Sequence, residues 1–276
     1  MLSRFISILI LALSIISCSK KEQVYQPTKN IDPYILYKEG YDAFEKNNFF
    51  FANKKFLEAE ANFTNLDQAA KAAIMSCFSL YGINFYDEAL ESLERFIKTY
   101  RANENIMYAE YLKAIIYFEK MSDEKKDVQP LLDAKKQIEF FINKYPKSDY
   151  TIDLKFKKDL VENQLAAKEL FVAKYYISVQ KWIPAINRLK IIVKHYDKTV
   201  FIEEALHRLV EIHYHLGVEN EAQKYAKILG YNYNSSEWFK QSYKILNKNY
   251  VMTKNLNQKA KKNRDSIIKK ILKMIK

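Results

Sequence analysis

The chain reads as all-α, a row of paired helices packed side by side. Three observations predict this. Only 4 Gly and 5 Pro occur in 276 residues, whereas doubly wound nucleotide folds and hairpin-rich sheets need glycine at their turns. Apolar residues recur at helical spacing from Tyr34 onward, in segments that come in pairs. A small residue returns in the second helix of each pair, at Ala52, Ala89, Ala134, Ala185 and Ala222.

The residues that follow each alanine give the pattern a packing logic. Four positions on stand Phe56, Leu93, Ile138, Leu189 and, in the fifth pair, Ala226. Three further stand Ala59, Phe96, Phe141, Ile192 and Leu229. The alanine lets its helix lie close against the first helix of the pair. The bulky residue one turn later fills the gap to the next pair. This is the second-helix signature of a tetratricopeptide (TPR) repeat, whose period is about 34 residues. The alanines here are 37, 45, 51 and 37 residues apart, so the two longer units carry insertions. One helical pair cannot bury its apolar face alone. The fold expected over residues 34–246 is therefore a right-handed TPR-like solenoid of about five helix–turn–helix repeats.

Taken in order, the first helix of unit one packs through Leu36, Gly40 and Ala43. Boundaries fall at Asn47-Asn48, Asn84, Tyr145-Pro146, Gly217 and Gly230. Pro146 ends its helix because proline cannot continue one. The polar stretch 122–130 reads as a loop insertion in unit three. Pro184 sits in the first turn of the helix that Trp182 opens, where its missing N–H costs nothing.

The two ends are different in kind. Arg4 and a short apolar run from Phe5 lead to Leu13-Ser14-Ile15-Ile16-Ser17-Cys18. The run is too short to span a hydrocarbon core of about 30 Å and right for a signal peptide. A small residue before a cysteine at that point is similar to a bacterial lipobox, which implies cleavage after residue 17 and acylation of Cys18. Stable anchoring takes about two acyl chains, so such a protein is membrane-bound without a transmembrane helix. Ser19, in place of an inner-membrane-retaining aspartate, implies the periplasmic face of the outer membrane. Residues 18–33 read as the lipidated cysteine and a flexible tether. At the other end, residues 254–276 hold nine Lys or Arg against one acid, Asp265, for a net +8 of the chain's +12. The charge is thus a property of the 247–276 tail and not a nucleic-acid signal. Ile267, Ile268, Ile271, Leu272 and Ile275 share one helical face there, so the tail reads either as an amphipathic helix that touches anionic lipid or a partner, or as a frayed, solvated end.

Candidate chemistry is sparse. In a TPR the first helices line an inner groove. The inward positions read Tyr34, Tyr37, Tyr41 and Phe44, then Lys71, Ile74, Phe78 and Tyr81, then Tyr108, Tyr111, Ile115 and Phe118. Such a stripe can be core, or it can hold an extended peptide, with Lys71 taking a terminal carboxylate. Cys77, left alone once Cys18 is acylated, reads as a buried small hydrophobe. Of His195, His207, His213 and His215, no two have metal-ligand spacing. No phosphate loop, catalytic triad or carboxylate pair can be drawn. The chain reads as no enzyme, with no cofactor and no metal.

Several strings together resemble the BamD family of outer-membrane lipoproteins of the β-barrel assembly machine. They are Leu93-Glu94-Arg95-Phe96-Ile97; Tyr111-Leu112-Lys113-Ala114 with Tyr117-Phe118-Glu119; Tyr145-Pro146-Lys147-Ser148-Asp149-Tyr150; Lys168-Glu169 with Tyr175-Tyr176; Ala185-Ile186-Asn187-Arg188; and Ser236-Glu237-Trp238 with Ser242-Tyr243. The resemblance runs from Cys18 to about Leu246. It implies a scaffold that contacts the periplasmic POTRA region of BamA through its C-terminal repeats, with Arg188 at that contact. It also implies that the N-terminal repeats receive unfolded outer-membrane proteins, and it leaves accessory lipoproteins of the same machine as further partners. The alternative is another periplasmic TPR lipoprotein coordinating cell-envelope or peptidoglycan machinery. The first two hairpins depart from the family in closing with Phe63-Thr64-Asn65-Leu66 and Tyr100-Arg101 where a Tyr-Pro turn is expected.

Overall fold

The structure, a computed structural model, describes residues 32–121 and 127–247. The expected leader, Cys18, the tether as far as residue 31 and the tail from residue 248 lie outside these residues. Among the described residues there are eleven α-helices and no strand. They are α1 (Pro33–Glu45), α2 (Phe49–Asn62), α3 (Leu66–Gly82), α4 (Tyr86–Thr99), α5 (Ile106–Glu119), α6 (Gln129–Lys144), α7 (Asp149–Ser178), α8 (Trp182–His195), α9 (Ile202–His215), α10 (Glu219–Asn232) and α11 (Glu237–Leu246). Neighbours in sequence pack together, as in a TPR-like repeat fold. The chain divides into two compact units, with the boundary inside α4 between Ser92 and Leu93.

The repeat signature is borne out residue by residue. The five alanines Ala52, Ala89, Ala134, Ala185 and Ala222 are all fully buried. So are Phe56, Leu93, Ile138 and Leu189 at the next position, and Ala59, Phe96, Phe141, Ile192 and Leu229 at the third. Ala226, the small exception, is only partly buried. In the first unit Leu36, Ala59 and Ala72 form one core cluster, and Ala43, Ala52 and Phe56 form another. Gly40 is there for proximity. A Cβ on it would meet the Phe56 ring at 3.0 Å, tighter than ordinary contact. In the second unit a single cluster runs from Ala166 of α7 to Ile245 of α11. Cys77 is a fully buried residue of α3.

The turn inside each hairpin has one recurring geometry. Asn47, Asn84, Gln180 and Gly217 have φ of 58°, 60°, 58° and 74°. The residue after each donates its N–H five residues back. These bonds are Asn48 to Ala43 O at 2.9 Å, Phe85 to Leu80 O at 3.0 Å, Lys181 to Tyr176 O at 2.9 Å and Val218 to His213 O at 2.9 Å. This is the Schellman closure, which satisfies carbonyls that a helix end leaves bare. The corresponding turn of the third hairpin falls partly outside the described residues. Gly217→Ala is a clean probe of this device. Its Cβ would meet nothing within 4 Å, so only the left-handed backbone penalises it. The loss of unfolding free energy is expected to be on the order of 1 kcal/mol, read from the urea midpoint. A change near zero would mean the turn relaxes freely.

Each pair also closes in one way. Phe63, Tyr100, Tyr145, Tyr196 and Tyr233 stand eleven residues after the five alanines. Each donates its N–H to the carbonyl four back, at 2.8–3.0 Å. The departure noted for the first two hairpins is therefore narrower than the sequence suggests, because the aromatic is kept and only the proline is absent. Beyond this residue Asn65 Oδ1 accepts from Asp67 N at 2.9 Å and Gln68 N at 3.1 Å. Ser148 and Ser236 cap α7 and α11 in the same way.

Two boundary expectations need correction. Gly230 lies inside α10 and breaks nothing. It is small because a Cβ there would come within 2.8 Å of the Phe239 ring. Pro130 belongs to the first turn of α6 and not to a loop, a position that tolerates its missing N–H. The 51-residue spacing arises from α7, a helix of 30 residues, because a first helix can lengthen by whole turns and keep its packing face.

Candidate functional site

The groove positions of the first unit fall on α1 and α3, and the structure separates them into packed and open rings. Tyr37 is half-buried, with its ring 5.3 Å from Phe56 and 6.5 Å from Phe63. Burial, and then the neighbouring Tyr41, push its hydroxyl pKa above the ordinary value. Phe44 bridges to Phe49 at 5.2 Å and to Phe78 at 5.6 Å, and so joins α1 to α3. Phe78 continues to Tyr81 at 5.8 Å. Tyr34 meets the Phe63 ring edge-on at 5.1 Å yet is 60% exposed, and Tyr41 is 44% exposed. Lys71 is exposed and Ile74 is buried in the core. The stripe thus divides. Phe44, Phe78 and Ile74 hold helices together, while Tyr34, Tyr41 and Lys71 are exposed.

Tyr108 and Tyr111 belong to the second unit and are engaged there. Tyr111 stacks on Tyr150 at 4.4 Å with 22° between planes. Its hydroxyl donates to Asp153 Oδ2 at 2.9 Å. Burial first, and then Asp153, push its pKa far above the ordinary tyrosine value. Tyr108 adds a ring contact to Tyr150 at 6.1 Å. Ile115 is buried, and Phe118 lies under the Lys157 ammonium at 5.1 Å. This pair therefore clasps α5 to the start of α7, while Thr151 there donates to Tyr145 O at 2.6 Å and ties the same turn to the end of α6.

Arg188 of α8 has a partner within the chain. Its Nη1 contacts both carboxylate oxygens of Glu169 on α7, at 3.3 and 3.1 Å, and the side chain is 43% exposed. A carboxylate for this guanidinium is thus supplied first by α7, through one of its nitrogens. Glu169 lies nineteen residues earlier, a separation that only a folded hairpin closes.

The larger electrostatic feature was missed by sequence reasoning. Between α7, α9 and α11 a chain of charges runs inward. Lys174 pairs with Glu204 at 2.9 Å, Glu204 with Arg208 at 3.2 Å, and Arg208 with Glu211 at 2.7 Å. Glu211 Oε1 lies 3.4 Å from His207 Nε2. That contact lacks hydrogen-bond geometry, so this imidazole nitrogen has no bonded partner. His207 Nδ1 lies 2.9 Å from Ser242 Oγ on α11. Trp238 covers the chain, 5.0 Å from the His207 ring and 5.7 Å from the Arg208 guanidinium. Burial drives the Glu211 carboxyl up, but His207 and Arg208 outweigh it and hold it below the usual range. The one available signal was Ser236-Glu237-Trp238 with Ser242, which read only as resemblance.

The other histidines form no joint site with His207: His213 is buried, while His195 and His215 are exposed. His213 Nδ1 lies 2.7 Å from Leu209 O, and the His215 ring meets Trp182 at 4.9 Å with 59° between planes. Among the described residues no three His, Cys, Asp or Glu gather as metal ligands. None of the described helices is long and apolar enough to cross a membrane.

Comparison with known proteins matches this architecture to one family. A family model described as "YfiO: Outer membrane lipoprotein" matches residues 29–229. An outer membrane protein assembly factor BamD of Rickettsia prowazekii is 36% identical over 215 residues, covering 78% of this chain and 85% of its own. The BamD of Caulobacter vibrioides is 31% identical over 247 residues, covering 88% and 80%. That of Neisseria meningitidis serogroup A is 25% identical over 239 residues, covering 82% and 90%.

Proposed function

The chain belongs to the YfiO family of outer membrane lipoproteins, that of BamD, and from this premise we propose that it is an outer-membrane-anchored scaffold for β-barrel assembly. In this reading Cys18 carries the lipid and holds the protein at the periplasmic face. The C-terminal repeats bind the POTRA region of BamA, with Arg188 in the contact. The N-terminal repeats receive unfolded outer-membrane proteins along Tyr34, Tyr37, Tyr41, Lys71, Phe78 and Tyr81. Tyr108 and Tyr111 take the lesser part, since they already hold α5 to α7. The protein works by binding and carries out no reaction.

The observation that carries the reading is the agreement of two independent regularities. The repeat signature is buried in all five units save at Ala226, and the family match spans nearly the same residues. Exposed Tyr34 and Tyr41 support the groove. Arg188 supports the BamA contact because its half-exposed guanidinium spends one nitrogen on Glu169 and keeps the rest of its donor fork for a second carboxylate.

The test is co-purification from detergent-solubilised membranes with mass spectrometry, where a barrel protein bearing POTRA domains is expected to come down with the chain. Its absence sinks the scaffold reading. Arg188→Glu is expected to lower that recovery about tenfold or more while melting changes little, since a half-exposed ion pair is worth at most about 1 kcal/mol. A photo-cross-linker at Tyr34 or Tyr41 should capture the C-terminal strands of nascent outer-membrane proteins, and one at Ile152, exposed on α7, should not. Equal labelling at both would remove the groove.

A further inference from the structure

The second unit contains an open cleft of about 600 Å³ between α4, α5 and α6. None of the residues so far assigned a role in binding lines it. Its floor is apolar, formed by Ile97, Ile106 and Phe140, and the Phe140 ring is 46% exposed. Its rim is charged, and the charges do not balance. Glu94 is answered by Lys113 at 2.9 Å, and buried Glu110 by Lys144 at 3.2 Å. Those two pairs use both carboxylates of the lining. Lys98, Arg101 and Lys136 remain, three cations with no acid left in the cleft to answer them. The Arg101 Nε–H donates to the Lys98 carbonyl at 3.2 Å, which aims the guanidinium without neutralising it.

Three like charges around a low-dielectric floor repel one another and focus a positive potential into the cleft. An arriving anion relieves that repulsion, and an apolar group beside it covers Phe140. The volume is in the range of specific ligand sites, well above what a lone carboxylate or phosphate fills. The three cations come from separate points, Lys98 of α4, Arg101 of the following turn and Lys136 of α6. Such spacing suits several carboxylates strung along a chain better than the single phosphate of a lipid headgroup, and the arginine fork matches a carboxylate plane. We propose that this cleft is a docking site for an acidic peptide segment of a partner protein, with carboxylates on Lys98, Arg101 and Lys136 and an apolar side chain against Phe140. This goes beyond the groove of the first unit and does not depend on it.

The experiment uses the full-length protein and a fluorescein-labelled, C-terminally amidated peptide Glu-Asp-Glu-Phe-Asp-Glu, read by anisotropy. The amide removes any terminal carboxylate, so binding reports side chains alone. The acidic peptide is expected to bind, and its Gln/Asn counterpart to bind about tenfold or more weakly. Affinity should fall as salt is raised, since the rim is exposed. The double variant Lys98→Glu with Lys136→Glu changes two exposed side chains, keeps the melting profile, and should lose about tenfold or more in affinity. No binding of the acidic peptide, equal binding of the neutral peptide, or an unchanged double variant would overturn the proposal. So would capture of phosphatidylglycerol-containing vesicles by the same cations without capture of the peptide, which would make the cleft a lipid site.

Discussion

Arg208→Leu is expected to lower the unfolding free energy of the second unit by about 3–5 kcal/mol. The guanidinium sits between Glu204 and Glu211 and under Trp238, with only 16% of its side chain exposed. Removing it leaves the Glu211 carboxylate, 7% exposed, with only the His207 ring beside it at 3.4 Å among the described residues. Both tryptophans, Trp182 and Trp238, belong to this unit, so urea unfolding followed by tryptophan fluorescence reads it selectively. Adding Glu211→Gln should recover part of the loss, because most of the penalty is the uncompensated charge and not the missing contact. Acid sharpens the test. The folded pKa of Glu211 is depressed, so its contribution is present above the usual carboxylate pKa of about 4.3 and is lost as pH falls through the lower folded value. The variant should lose less on acidification than the parent. A loss under about 1 kcal/mol at neutral pH would mean the network is ornamental to stability.

Phe141→Ala is expected to cost about 3–5 kcal/mol, and Phe140→Ala, one residue away, less than about 0.5 kcal/mol. Phe141 is fully buried, with its ring 5.0 Å from Tyr145 and 6.1 Å from Tyr111. It stands at the third position of the repeat signature, where the helix meets its neighbours, and truncation leaves a ring-sized cavity between packed elements. Phe140 faces the open cleft with its ring 46% exposed, and its removal leaves no closed cavity. The contrast is the measurement. Two phenylalanines with the same helical environment differ only in face, and urea midpoints that moved together would contradict the repeat register itself.

The face of each helix was legible in the sequence because it is written in side-chain size. An alanine every thirty-seven to fifty-one residues is a packing constraint, and every such alanine is buried. The turn geometry was legible only where its residue advertises it. Asn47, Asn84 and Gly217 did, whereas Gln180 adopts the same left-handed backbone with a residue type that gives no sign. Gly230 misled because a helix interior can demand a missing Cβ as firmly as a turn can. The candidate site was half legible. The rings of α1 and α3 fell where their spacing put them, but which are open depends on contacts with Phe63 and Phe49 that the spacing within α1 and α3 does not reveal. The pairs Arg188–Glu169 and Arg208–Glu211 illustrate the limit. A local pair three residues apart can be proposed from helix geometry, while one closed across a hairpin waits on the fold.

The pairwise packing has a consequence in time. Within each unit the extensive helix contacts join elements adjacent in the chain or one apart, so little loop entropy stands between a helix and its partner. A chain that emerges N-terminus first can complete each hairpin as soon as its second helix is out, with no need to await distant sequence. Such a protein crosses the interval between synthesis and use with its apolar faces covered early, and among the described helices it is α11, with Ser242 and Ile245 committed to the interior, that completes the packing of the second unit.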